Sequence, residues 1–291
     1  MLSPQEIISK VGDLPSLPEV AARINAEIEN EALSAKLLGA IIMEDSSLAA
    51  RILRLSNSAF YGMPRQISSI EKAVMVLGFD TVKNLALSIS VFAFFKTGMS
   101  STIDVLGLWN HSLGTAVSAR VLMKRTNPKL AEQAFLFGIV HDIGKIVLIN
   151  HCLSDMEKVL RLMREDGLSQ EEAENQVFGF THQRIGALLV KEWKFPEAFV
   201  TAVKSHHELP PELKECDHDI TQLVRALCVA NQLAKALLLG VSTNPQRAAI
   251  PSILWGHLGV DRQDLPGLSA LVKEDYQKII HSWHMDEAAE A

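Results

Sequence analysis

Apolar residues in this chain recur every three or four positions, and Gly, Pro or a Ser, Thr or Asp cap interrupts them at helix-length intervals. The strict alternation of a half-buried strand is scarce. The pattern predicts an all-α fold. After a loop over 13–18, Leu17, Val20, Ala21, Ile24 and Ile28 share one helical face. Ser34 is placed to cap a helix over 35–43. Asp45, Ser46 and Ser47 cap another over 48–55, which 56–62 breaks, and Ser69 caps a third that Gly78 stops. An apolar helix then runs from Asp80 or Thr81 to Phe95, before a small, polar stretch over 97–102 that reads as a boundary. Beyond it the spacing predicts helices over 108–124, 130–140 and 153–164. Ser169, with Glu172 in the capping-box position, opens 170–178. Thr181 opens a helix through Trp193, Pro196 opens one that reaches His206, and 221–239 forms a further apolar helix. Two more fall in the tail, which ends in an acidic, alanine-rich stub. The expected division is an N-terminal helical subdomain over 1–100, a second helical subdomain over 101–240 and a C-terminal extension over 241–291.

Composition narrows the class. With 291 residues, 48% hydrophobic and 21% charged, the chain can bury a substantial core. A net charge of −6 argues against a broad basic surface for nucleic acid. Three cysteines without a CxxC pair make neither a disulfide framework nor a zinc ribbon. Reduced thiols and a cytoplasmic setting fit them best. The N-terminus lacks the basic and apolar regions of a signal peptide. The longest apolar run, 85–95, is interrupted by Ser88 and Ser90 and falls short of the roughly 20 residues of a membrane span, so no membrane association is expected.

Candidate chemistry centres on Phe137-Gly138-Ile139-Val140-His141-Asp142-Ile143-Gly144-Lys145, where an imidazole and a carboxylate interrupt an apolar segment. A buried carboxylate needs a cationic partner, either a metal ion or a basic side chain. His111, His141, Asp142, His182, His206 and His207 fall at or near the ends of consecutive predicted helices, separated by gaps of about one helical hairpin. Imidazole and carboxylate without thiolate suit Fe, Mn, Ni, Zn or Co rather than Ca or Mg. Neighbours on a regular helix project about 100° apart. His141 and Asp142 would then serve two ions, with Asp142 bridging, and His206 with His207 would do likewise. The alternative is a set of cap or core histidines satisfied by backbone carbonyls. Two adjacent pairs among ten histidines favour the metal. Lys145, three residues after Asp142, reads from the pattern alone as a surface lysine at a helix end. Asn57 and Tyr61 read as a turn-former and a core aromatic, with a partner surface as the alternative. The apolar segment 89–95 reads as core, and the cysteines as structural.

His111 followed by Gly138-Ile139-Val140-His141-Asp142-Ile143-Gly144-Lys145 resembles the HD superfamily of metal-dependent phosphohydrolases. The added His182, His206 and His207 are similar to the ligand set of its HD-GYP branch, which cleaves cyclic di-GMP. Leu14-Pro15-Ser16-Leu17-Pro18, the 53–61 segment with its Asn57-Ser58-Ala59-Phe60-Tyr61, and Ile70–Gly78 resemble the HDOD domain, an HD-related output domain of bacterial signalling proteins. This resemblance covers about 10–240. It implies an HD-like helical bundle, signalling protein partners, and one or two divalent ions on the six ligands. A nucleotide or phosphate could be the ligand there, with Asp142 and Lys145 catalytic if the site turns over, since that lysine faces the substrate phosphate in the superfamily. Two departures stand out. The chain continues Glu208-Leu209-Pro210-Pro211 without Gly-Tyr-Pro, and Asn231 stands near the place of a last ligating aspartate. Two ions would then carry +4 against −1 from Asp142, leaving hydroxide, phosphate or Glu208 to balance them. Weaker loading than in the related enzymes is expected, and a regulatory role is favoured over a phosphohydrolase. Carrying no receiver or kinase-like segment, the chain is expected to take its input from another chain.

Overall fold

The computed structural model describes residues 4–12, 14–29, 33–97, 102–207, 217–243 and 252–290. Their regular elements are all helical, sixteen α-helices and two one-turn 3-10 helices, with no strand among the described residues. The first six are α1 (Pro4–Val11), α2 (Glu19–Glu29), α3 (Ala35–Met43), α4 (Ser46–Ser56), α5 (Ile70–Leu77) and α6 (Phe79–Thr97). Their starts follow side-chain caps. Ser34 accepts from the Leu37 amide, Asp45 from Leu48 and Ser69 from Lys72, and Gly78 ends α5 at φ 94°. A positive φ there suits glycine, which has no Cβ to clash. Helix α6 is the hub of this half, packing on α2, α4 and α5 and, across the molecule, on α8 (Ala131–Val140). It is apolar nearly all round, as a helix buried on several sides must be. Ser88 and Ser90 are tolerated inside it because each hydroxyl donates to a carbonyl one turn back, at 2.7 and 3.0 Å. The 89–95 segment is core except for exposed Ala93. Asn57 clamps the following loop: its side-chain amide donates to the Ile67 carbonyl and accepts from the Ile67 amide, at 2.8 and 2.7 Å. Half-buried Tyr61 lies edge-on to Phe60, and both rings face the Arg120 guanidinium.

The second half is built on α7 (Val105–Thr126), flanked by α8 and by α14 (His218–Ala236). A Cβ on Gly138 would fall 2.3 Å from the Ala116 Cα, so α7 and α8 approach as closely as backbones allow. Next come α9 (Ile143–His151), α10 (Leu153–Glu165), α11 (Gln170–Phe178), α12 (His182–Glu192) and α13 (Glu197–Ser205). Two short-range patterns did not show themselves as helices in the sequence. Helix α1 precedes the first expected element. Helix α9 fills the expected gap between 140 and 153, so that His141 and Asp142 form a break between two helices. The capping box at Ser169 and Glu172 is formed. In the tail, α15 (Ser252–His257) precedes α16 (Leu265–Glu290), and α16 continues through the acidic, alanine-rich end. Helix α16 lies on α7 and α4, and its Trp283 meets Phe92 and Trp109 at centroid distances of 5.7 and 5.2 Å. The expected boundary at 97–102, Cys216 and Glu208 fall wholly or mostly outside the described residues. The stretch 128–151 is long and apolar enough to cross a membrane by composition, a longer candidate than 85–95. It is broken at residues 141–142 and 89% of its most apolar window is buried in the protein.

Candidate metal centre

Five helices bring the six expected ligands to one place. His111 lies two turns into α7, His141 and Asp142 form the α8–α9 break, His182 opens α12, and His206 and His207 follow α13. His207 is half-buried and the other five are buried. The donor atoms fall into two groups that share Asp142, one with His182, His206 and His207, the other with His111 and His141. One expectation changes here. His206 and His207, expected to serve different ions, converge on one group, while Asp142 is common to both groups as a bridging carboxylate would be. The regular-helix premise fails because Asp142 has left helical geometry, at φ −99° and ψ 12°.

The hydrogen-bond partners fix the tautomers. His141 Nδ1 donates to the Gly138 carbonyl and His206 Nδ1 to the Val203 carbonyl, both at 2.7 Å. His182 Nδ1 donates to the Glu174 carboxylate at 2.8 Å. A carbonyl or carboxylate can only accept, so each of these rings, in its neutral form, turns an Nε2 lone pair inward. Burial is the main reason that His111 and His206 are pushed down to about 3, and it also holds His207 well below the usual histidine range. Burial alone would raise the Asp142 carboxyl, but His141 and Lys145 outweigh it and hold it well below the carboxylate range. Acceptors therefore face acceptors. His182 Nε2 stands 3.4 Å from His206 Nε2, and Asp142 Oδ1 stands 3.5 Å from His182 Nε2 and 3.3 Å from His206 Nε2; His207 Nε2, whose tautomer no contact among the described residues fixes, lies 3.2 Å from His182 Nε2. Lone pairs so placed repel unless a cation stands among them. An ion held at about 2.0–2.1 Å by four ligands gives ligand edges of about 3.3 Å. The observed spacings match. Buried His141 Nε2 and Asp142 Oδ1 also have no hydrogen-bond partner among the described residues. The donor set fits a divalent transition metal.

The second group is weaker. His111 Nε2 lies 3.1 Å from Asn231 Oδ1 and donates to it. An ion taken at that nitrogen must displace the proton, and the amide brings no charge in return. Lys145 is not a surface lysine: it is buried in α9 and donates to Asp142 Oδ2 at 2.7 Å. Four further side chains, Glu174, Gln170, Thr243 and Lys235, support the centre without a signal in the sequence. Glu174, fully buried, takes both the ring Nδ1–H and the backbone N–H of His182, and Gln170 donates to it at 2.7 Å. It thereby satisfies the first amide of α12, where the N-cap residue Thr181 makes no side-chain cap bond. Gln170 in turn accepts from Thr243. Lys235, on the same face of α14 as Asn231 and one turn later, brings a second buried ammonium near Asp142.

A sequence profile of the HDOD domain family matches residues 14–209. A protein of Treponema pallidum (strain Nichols) is 25% identical over 232 residues, covering 79% of this chain and 44% of that relative, so the chain spans less than half the relative's length. Among solved structures, an HDOD domain protein of unknown function from Geobacter sulfurreducens superposes with a TM-score of 0.76 at 24% identity, over 93% of this chain and 96% of the other. A Shewanella amazonensis protein described as a candidate metal-dependent phosphohydrolase gives 0.64 at 20%, over 96% and 95%. At these identities the likeness is one of fold.

Proposed function

The chain belongs to the HDOD family, and from that premise we propose that it is a cytoplasmic regulatory protein of bacterial signalling whose metal-loaded centre binds a phosphate-bearing ligand and passes the state of that centre to protein partners. The observation that carries this reading is the convergence of Asp142 Oδ1 and the Nε2 atoms of His182, His206 and His207 at ligand-edge spacing. His182, His206, His207 and Asp142 would hold the tighter ion, and His111, His141 and Asp142 the looser one. A divalent ion there would supply positive charge and Lewis acidity toward a phosphate oxygen. Glu174 holds His182 in the ligating tautomer, and Lys145 neutralises Asp142 at Oδ2, the oxygen that His141 Nε2 also approaches at 3.3 Å. The Asn231 amide in place of a carboxylate argues for binding over turnover.

The second reading, a phosphohydrolase, is favoured by the buried Asp142–Lys145 pair. There Lys145 would stabilise charge on the phosphate while Asp142 bridged the ions. Elemental analysis and metal titration of the purified protein test both readings. One tightly held ion per chain and a second that fills only at higher metal are expected. His206→Ala should lose the tight ion, and His111→Ala should spare it and lose the weaker one. Fe- or Mn-loaded protein is then screened against phosphomonoesters, phosphodiesters and cyclic dinucleotides. Turnover abolished by His141→Ala would replace the regulatory reading with the hydrolytic one, and absence of any stoichiometric metal would sink both.

A further inference from the structure

Two buried lysines lie by the centre, and they are not equivalent. Lys145 is committed to Asp142 Oδ2. Lys235 is 7% exposed, and its Nζ has no hydrogen-bond partner among the described residues. The charged and titratable groups that bear on it are Lys145, Asp142, Glu171 and His111. None is paired with it: the Asp142 oxygens face Lys145 and the histidines, and Glu171 accepts from Gln183 at 2.8 Å. One turn earlier on α14, Asn231 points its oxygen at His111, so its Nδ2, also buried, is left without an acceptor among the described residues. Asn231 and Lys235, one turn apart on α14, thus bring two buried donors without partners among the described residues to the side of that helix that faces the metal centre. Burying an uncompensated ammonium is strongly unfavourable, and a folded chain keeps one where a ligand completes it.

We propose that Lys235 Nζ and Asn231 Nδ2 form an oxyanion subsite on the α14 side of the centre, which takes a phosphate group of the ligand. Charge balance supports a phosphate. Without an ion, Asp142, Glu171 and Glu174 carry −3 against +2 from Lys145 and Lys235, so one divalent ion already leaves a positive surplus and a second enlarges it, and an anion neutralises that surplus. The tetrahedral oxyanion supplies several acceptors at once, as a metal and two flanking donors require. The inference deepens the regulatory reading and rests on it for the position of the ligand beside the metal. It adds the residues that recognise the anion.

The test titrates inorganic phosphate, and AMP in parallel, into the full chain, both Mn-loaded and metal-stripped. Lys235→Met keeps the apolar stem without the charge, Lys235→Gln is a polar second variant, and Lys235→Arg restores a cation. Wild type is expected to bind phosphate, more tightly when loaded. Lys235→Met and Lys235→Gln should each lose about tenfold or more in affinity, the scale of one charge-assisted hydrogen bond, in both states. Lys235→Arg should recover part of the loss, and metal content should stay equal throughout. The thermal midpoint of Lys235→Met should rise, because a lysine serving only the fold would leave it lower on removal. A gain in AMP over phosphate that depends on Lys235 assigns the subsite to esterified phosphate, and equal binding assigns it to free phosphate. Phosphate binding unchanged in Lys235→Met, no binding by wild type in either state, or a lower midpoint with lost metal overturns the proposal. Wild type that takes no metal yet binds phosphate through Lys235 sinks the metal reading alone. Metal uptake with Lys235-independent phosphate binding sinks only the subsite.

Discussion

At the scale of residues, the centre is a set of groups whose preferred protonation states are set by burial, and pH should expose this. His111 and His206 are pushed down to about 3 from an ordinary value near 6.5, mainly by burial. Between those values the unfolded chain binds protons that the folded chain refuses, so stability falls as pH drops. Each such group contributes a slope of up to about 1.4 kcal/mol per pH unit. Asp142, held well below the carboxylate range with burial opposed and outweighed by His141 and Lys145, acts in the same sense at lower pH. The urea midpoint of metal-stripped protein should therefore fall steadily from pH 7 to pH 5, and His206→Ala should flatten the decline. A flat wild-type profile would mean that these rings take up protons in the folded state. The histidines and Asp142 were legible because ligand chemistry restricts residue type and because two adjacent pairs are conspicuous. Glu174 was not. It sits in Gln170-Glu171-Glu172-Ala173-Glu174, where Glu172 serves a cap and half-buried Glu171 accepts from Gln183, and only the fold shows which carboxylate turns inward. Lys235 was hidden for a related reason, since an ammonium at the end of a predicted helix reads as a solvated charge.

Elements position those residues through close approach rather than through long side chains. A Cβ on Gly144 would stand 2.0 Å from the His182 carbonyl oxygen and 2.8 Å from the Gly186 amide nitrogen, so α9 and α12 touch backbone to backbone where Asp142 and His182 must meet. Gly144→Ala would have to push α12 away. The expected cost is about 1–3 kcal/mol, the usual range for overpacking, with loss of the tight ion at stoichiometric metal. Gly256→Ala in α15, where a Cβ meets nothing within 4 Å, should leave both unchanged. Urea unfolding and metal content check the pair, and a Gly144→Ala protein with wild-type loading would show that α9 and α12 do not set the spacing. Most helices were readable from caps and periodicity: Ser34, Asp45, Ser69 and Ser169 cap in the structure the helices they cap in the sequence. Helix α9 was missed because Ile143–Ile149 is buried on all sides. A helix without a polar face has no period to detect. The break at Asp142 is masked in the sequence by the same uniform apolarity, so periodicity alone implies a regular helix through the ligands.

At the scale of the whole molecule, the expected three-part division meets a continuous core. Helix α6 of the N-terminal part packs on α8 beside the centre, and α16 of the tail lies on both α7 and α4. Trp283 of α16 is buried between Phe92 of α6 and Trp109 of α7, two residues before His111. One aromatic cluster thus joins all three stretches within half a turn of a ligand. Segments that share a core in this way unfold together, since none can open without exposing the apolar faces of the others. We therefore expect Trp283→Ala to cost about 3–5 kcal/mol, the range for truncating a buried aromatic, and to do so in one transition. In metal-loaded protein, helix content and metal release should change together along the urea axis, in wild type and variant alike. Two separated transitions, with the tail or the N-terminal helices lost before the metal, would instead show that the centre stands on 101–240 alone. That distinction bears on regulation. In a single cooperative unit, occupancy of the centre stabilises every helix at once. A partner docked on the N-terminal face could then sense the metal and its ligand without touching them.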